Sequence, residues 1–422
     1  MNKSADLIIA PSPKPKKVAS SRFKKVTFSK PIEEIGWSFK GIANYVIKKF
    51  GWSAPSEAPV AFDRSFEPDE LSAPYQQIHL DEGWNQFSVK GSGITIAVID
   101  SGCRGDHVGF EDENGESRVV EGISFLTSSL STDTEDSHGH GTFVAGIIAG
   151  KENIGIAPEA KILPLKVYNK TSDPIKTLER IVSALKWLVL NGEDRGVSVV
   201  NLSMGNSENY KNTNEFSAEL ALLAGEIKQA IRALKTKKIP VVIASGNFYK
   251  THGSTVGMSF PAILSDAISV GAVHSNEDES GEIYSAYGGA KIIKASVDIV
   301  APFTQRLPKQ TGEQHFTRLL APGAPVESLG HEESTDVTSN SGTSVAAPVV
   351  SGVIALMQEK NLKEYGVLPS CTEIERWLEY GATSVHDMKG AHDNVDNTDK
   401  KFPRVDVRGA LEAMKNRTGA GT

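Results

Sequence analysis

Five apolar runs of strand length, none with regular polar alternation, limit what this chain can fold into. They are Ile94–Ile99, 161–167 (KILPLKV), 197–202 (VSVVNL), 239–244 (IPVVIA) and 267–273 (AISVGAV). A strand with one face in water alternates apolar and polar side chains. A run that does not alternate is covered on both faces, as in a parallel sheet between helical layers. Helix-period stripes lie between the runs. Leu178, Ile181, Val182, Leu185, Leu188 and Val189 form one face ahead of Asn191-Gly192, a helix stop, and Leu220, Leu223, Ala224, Ile227, Ile231 and Leu234 form another. Thr372 and Glu375 have the spacing of a capping box for a late helix. Alternation of strand and helix implies right-handed crossovers. The predicted fold class is therefore α/β: a doubly wound, mostly parallel central sheet flanked by helices, over residues 71–416, with a short N-terminal helical extension. Ligands of such sheets bind at the carboxyl ends of the strands.

Hydrophobic residues make up 39% and charged residues 23% of the 422, which excludes a mostly disordered or fibrous chain. No run approaches the roughly 18 apolar residues of a spanning helix, and membrane contact is not expected. A formal net charge of −7 excludes nucleic acid as the partner of the whole chain. The charge is uneven, however. The first 50 residues hold eleven basic against three acidic side chains, a net of +8 that leaves −15 for the remaining 372. Residues 1–30 read as a flexible basic arm rich in Pro and Lys. Residues 31–52 read as an amphipathic helix segment, with Ile32, Ile35, Phe39, Ile42 and Val46 on one face, 53–70 as a linker, and 417–422 as a disordered tail. The opposite charges favour an extension that docks on the acidic remainder of its own chain and restrains it, with a regulatory partner of the N-terminal segment as the alternative. The start of the chain has only a four-residue apolar stretch, Leu7–Ala10, where a secretory signal needs about 7–15, so a cytoplasmic location is expected. Cys103 and Cys371 offer no zinc or CxxC spacing.

Three segments stand where chemistry is expected. AVIDSG puts Asp100 at the end of a strand. DSHGHGTFVAGIIAG puts His140 ahead of a run of small and apolar residues, and NSGTSVAAPVVSG does the same for Ser344. Attack on an amide needs a nucleophile, a base to take its proton and a carboxylate to orient that base. A serine at a helix start gains from the helix dipole, and its own N–H is free to point at a developing oxyanion. Gly342 and Gly141 read as positions where a substrate approaches the backbone closely.

Over about residues 72–415 the chain resembles the subtilisin-like serine proteases (subtilases). The blocks AVIDSG, HGTFVAG and GTSVAAP occur in the order Asp, His, Ser already known for subtilisin. The resemblance implies that Ser344 is the nucleophile, His140 the general base and acid, and Asp100 its orienter. VVIASGN resembles the oxyanion block, so Asn247 and the N–H of Ser344 form the oxyanion hole. VVNLSMG resembles the strand that pairs with substrate. Ser203, Met204 and Gly205 then form one wall of the pocket for the residue before the cut, and Ala244, Ser245 and Gly246 the other. The expected activity is that of a serine endopeptidase on protein or peptide substrates. The rivals are a peptide ligase or macrocyclase on the same fold and an inactive subtilase-fold binding protein. His138 and Asp136 read as a loop residue and a solvated or locally hydrogen-bonding residue. Cys103 is either a reactive thiol near the site or an inert buried cysteine.

The chain departs from the family in several places. Many subtilases hold calcium in a loop after the catalytic histidine. Here 149–158 (AGKENIGIAP) looks too short, and Gly109 stands where those members place an aspartate. No metal and no cofactor is expected. DIVAPF (298–303) and LLAPGAPVES (319–328) suggest an insertion that forms a lid or exosite. Phe248 stands where an acid is often found, which disfavours basic residues before the cut. Residues 1–70 lack the strand series of the separately folding subtilisin prodomain.

Overall fold

A computed structural model describes residues 52–53, 60–62 and 71–416, apart from 152, 173 and 278–280. The amphipathic stripe expected at 31–52 lies outside these residues save for Trp52, as do the arm 1–30 and the tail 417–422. The strands are β1 (Trp52–Ser53), β2 (Val60–Phe62), β3 (Thr95–Asp100), β4 (Ile123–Ser124), β5 (Lys161–Lys166), β6 (Val197–Leu202), β7 (Gly205–Asn206) and β8 (Val241–Ala244). They continue with β9 (Ile268–His274), β10 (Glu282–Tyr284), β11 (Ala290–Ile292), β12 (Leu319–Ala324), β13 (Val326–Leu329), β14 (Val337–Asn340), β15 (Thr383–His386) and β16 (Lys401–Arg404). The helices used below are α1 (Leu80–Phe87), α2 (His140–Ala149), α3 (Pro174–Asn191), α4 (Ala218–Thr236), α5 (Thr343–Tyr365), α6 (Cys371–Gly381) and α7 (Val407–Ala413).

Nine strands form one sheet in the order β15-β16-β12-β9-β8-β6-β3-β5-β4, with only the β15–β16 edge pair antiparallel. The unalternating runs have the cause expected of them. Ile96 and Val98 of β3 enter one core, with α2, α5 and α6, while Ala97 and Ile99 enter the other, with α3 and α4. β3 is also where the winding reverses, because β5 lies on one side of it and β6 on the other. Its carboxyl end, at Asp100, is thus the crevice of a doubly wound sheet. All ten residues of α2 and the first nineteen of α5 are buried, so small residues are needed to let these helices approach their neighbours.

Several local expectations change. The capping box of α6 is Ser370 with Glu373, two residues earlier than Thr372 and Glu375, because the helix starts at once after Pro369-Ser370. Glu375 instead pairs with Lys235 at 2.6 Å. Two pieces of the stretch read as helix end and linker are strands: β1 pairs with β7, and β2 adds to the β13–β14 hairpin. The segment between β9 and β12 leads into the expected insertion. It carries the β10–β11 hairpin, and its residues Val300, Ala301 and Phe303–Leu307 are buried.

The insertion is locked by Arg306, fully buried with Asp387. The guanidinium donates to the carboxylate through Nε (2.9 Å) and Nη2 (3.1 Å) and lies 3.8 Å from the ring centroid of Tyr249. Burial opposes ionisation of Asp387, but Arg306 and the donors of Thr398 and Asn397 hold its carboxyl below the usual range. Arg306→Met should cost about 3–5 kcal/mol in denaturant unfolding, since it leaves a buried charge unpaired. A carboxyl with a depressed folded-state pKa contributes stability above its unfolded value of about 4, lost as pH falls through the folded value. The acid limb of the wild-type stability profile should accordingly flatten in the variant.

Candidate functional site

Asp100 ends β3 with no exposure to water and is met by three donors. The N–H of Ser101 donates to Oδ1 at 2.8 Å and the hydroxyl of Tyr168 at 3.1 Å. The third is His140, whose Nδ1 lies 2.8 Å from Oδ1 and 3.0 Å from Oδ2. A carboxylate accepts and does not donate, so the imidazole proton sits on Nδ1. Nε2 is left with its lone pair, and it has no hydrogen-bond partner although it is buried.

The start of α2 is held to β3 by Asp136. Its carboxylate accepts from the N–H groups of His138, Gly139 and Thr142, each at 2.9 Å, and from the hydroxyls of Ser101 and Thr142. Burial works against the charge, and these donors outweigh it, so the carboxyl stays below its usual range. Asp136 is therefore a buried anchor rather than a solvated residue. Gly141 has an internal duty: a Cβ there would lie 2.1 Å from the carbonyl oxygen of Gly102. Its glycine serves the close packing of α2 on the turn after β3. His138 packs its ring 5.2 Å from that of Tyr168, and burial lowers its pKa. Cys103 is buried, and burial with the nearby carboxylates of Asp136, Glu135 and Asp100 pushes its thiol well up, which makes it unreactive.

Ser344 is the second residue of α5, with Gly342 at the helix cap. Its N–H therefore has no partner within the helix. The Asn247 carboxamide is oriented by Thr343, whose N–H and hydroxyl both donate to Oδ1 at 2.8 Å. Nδ2 is thereby turned the other way. A Cβ on Gly342 would lie 3.0 Å from Ser344 Oγ and 3.5 Å from Asn247 Nδ2, so the two groups converge on one small space. Ser203, Met204, Ala244 and Ser245 are buried at the ends of β6 and β8, while Gly205 and Gly246 are half-buried. Tyr168 and Thr343 were not singled out from the sequence. Thr343 sat in plain view inside the GTS block; Tyr168 carried no signal.

Residues 91–401 match the model of the subtilase family. The chain is 31% identical over 302 residues to subtilisin DY of Bacillus licheniformis, covering 71% of this chain and 86% of that protein. It is 28% identical over 298 residues to an intracellular serine protease of Paenibacillus polymyxa, covering 69% and 74%. To subtilisin Savinase of Lederbergia lenta it is 30% identical over 275 residues, covering 64% and 78%.

The residues after α2 do not fit the calcium ion that many such proteins hold there. At Gly109 a Cβ would lie 2.6 and 2.7 Å from the methyls of Leu329, so an acidic side chain has no room. Nearby carbonyls are engaged by Arg118, a cation of the chain itself. Its Nη1 donates to Ala149 O (2.7 Å) and Ala160 O (3.1 Å), and its Nη2 to Gly109 O (3.2 Å). Burial lowers this guanidinium to about 10, which leaves it a cation at neutral pH. Melting curves in chelator and in millimolar calcium should nearly coincide; a rise of several degrees with calcium would contradict this. Arg118→Ala, which removes three hydrogen bonds to buried carbonyls and leaves Gly109 O only its bond from the N–H of Lys151, should lower stability by at least about 2 kcal/mol.

Proposed function

The chain belongs to the subtilase family and is a serine endopeptidase, and from that premise we propose that Ser344, His140 and Asp100 are its catalytic residues. The observation that carries the reading is the Asp100–His140 bond, which leaves Nε2 as a buried base with no other use. Ser344 Oγ attacks the scissile carbonyl and its proton passes to His140 Nε2. The imidazolium so formed keeps its Nδ1–H bond to Asp100, whose charge stabilises it. The carbonyl oxygen, now negative, accepts from Asn247 Nδ2 and from the N–H of Ser344 at the positive end of α5. His140 then returns the proton to the leaving amine, and water, activated by the same base, hydrolyses the acyl-enzyme.

An extended substrate pairs with the 203–205 strand, and the residue before the cut enters between 203–205 and 244–246. Part of that edge is used by the chain itself, since Ser53 pairs with Gly205 and Trp52 with Asn206. This supports a restraining role for the N-terminal segment. A cytoplasmic location agrees with the relative from P. polymyxa being an intracellular protease, and cell fractionation tests it.

Ser344→Ala should abolish nearly all peptide cleavage while the melting temperature holds, and His140→Ala should abolish it too but lower the melting temperature, because buried Asp100 loses a donor; wild-type turnover in the first would sink the assignment. Asn247→Ala should lower kcat by about 10²–10³-fold with little change in KM, a loss of the size already known for subtilisin. Removal of residues 1–62 should raise kcat/KM for short peptides, and an unchanged value would show that the segment does not restrain the enzyme.

A further inference from the structure

We infer that Gln305, delivered by the insertion, forms the floor of the pocket for the side chain before the cut, so that the enzyme cleaves after short, uncharged residues. The inference rests on the reading of Ser344 and of the two pocket walls given above.

The two walls close on the same pair of side chains. A Cβ on Gly205 would lie 2.6 Å from the hydroxyl of Ser259. On Gly246, where φ is +112°, it would lie 2.1 Å from Gln305 Oε1 and 2.9 Å from Ser259 Cβ. Ser259 is tied to the second wall by its N–H, which donates to Ser245 O at 2.9 Å. Space between the walls therefore ends at Ser259 and Gln305, both fully buried.

Gln305 is a crossbar fixed at both ends. Its backbone N–H donates to Gly246 O (2.8 Å), and its carbonyl accepts from the hydroxyl of Ser245 (2.7 Å). Its side-chain Oε1 accepts from the N–H of Phe248 (3.3 Å). Nε2 reaches across to Glu208 O (2.9 Å) and Asn209 Oδ1 (2.8 Å), on the segment that continues the first wall. The next residue, Arg306, is locked on Asp387, so the crossbar has no free backbone on which to swing aside.

The chemistry of this floor selects by size and by charge. A phenylalanine or leucine side chain would have to displace an amide that already makes three hydrogen bonds. A lysine or arginine would bring a charge to a floor of one carboxamide and one hydroxyl. A short side chain meets neither cost. The hydroxyl of Ser259, buried and without a hydrogen-bond partner, remains for a small polar group such as that of serine or threonine.

The test uses the full-length protein and quenched peptides that differ only in the residue before the cut: Ala, Ser, Leu, Phe, Lys and Glu. Labelling of Ser344 by a fluorophosphonate is measured first; no labelling would sink the catalytic reading itself, separately from the pocket. In labelled enzyme, kcat/KM should be at least tenfold higher for Ala and Ser than for Leu, Phe, Lys and Glu, as pocket contacts of a methylene or more discriminate by about 10–200-fold. A preference for Phe, Leu or Lys overturns the inference. Gln305→Ala, which removes the floor, should raise the Phe-to-Ala ratio at least tenfold. Gln305→Asn keeps the amide but draws it back by one carbon and should admit Leu while still excluding Phe. An unchanged profile in whichever of the two variants retains a cooperative melting transition overturns the inference.

Discussion

A buried carboxylate at the end of the central strand dictates most of what surrounds it. Asp100 has no contact with water. A carboxylate in that position costs several kcal/mol unless charge-assisted hydrogen bonds compensate it. The compensation comes from three directions: the chain immediately after it at Ser101, the strand beside it through Tyr168, and α2 through His140. Each donor fixes one element against β3. Asp136, likewise buried and fully bonded, then fixes the first turn of α2 from the other side. The imidazole is left with one tautomer and one orientation. Its free nitrogen is held ready without any contribution from a bound substrate, and pre-orientation of that kind lowers the barrier of a proton transfer.

The second half of the site is organised by glycine and by the start of α5. The strand β14 leads through Ser341 and Gly342 into the helix, and the hydroxyl of Tyr287 holds the carbonyl of Ser341 at 2.8 Å. Tyr287 belongs to the segment between β9 and β12, as do Gln305 and Arg306. One segment thus supports the turn before Ser344 and lies against Ser245 and Gly246, with Arg306–Asp387 as its anchor. Elsewhere an internal guanidinium does what a bound ion would do. Arg118 collects the carbonyls of Ala149, at the end of α2, of Ala160 and of Gly109 with a charge that is part of the chain and cannot dissociate. The hairpin β13–β14 bears on α2 as well, through the hydroxyl of Ser328 on Phe143 O, so the histidine and serine halves share a rigid support.

What the sequence by itself determined was the sheet, the two helical layers and the candidates for the chemical groups. Burial on both faces leaves its mark as unalternating apolar runs, and helix faces leave theirs at 3–4 spacing, so both were legible from residue types alone. Asp100, His140, Asn247 and Ser344 were legible because they sit in short blocks whose neighbours, glycines and small residues, are required locally. Only the tertiary structure decided what each glycine packs against. Gly342 and Gly141 look alike in sequence, and the carbonyl of Gly102 against the second comes from 39 positions away. The capping box slipped by two residues because Ser370 and Thr372 both had an acid at the right spacing, and competition for Glu375 was settled by Lys235, remote in the chain. The insertion was visible as a duplicated APx pattern, but nothing local in TQRLP says that a glutamine will bridge two walls. That outcome depends on Asp387, Tyr249 and Asn209 being brought together by the fold, and contacts between residues far apart in sequence leave no local pattern to read.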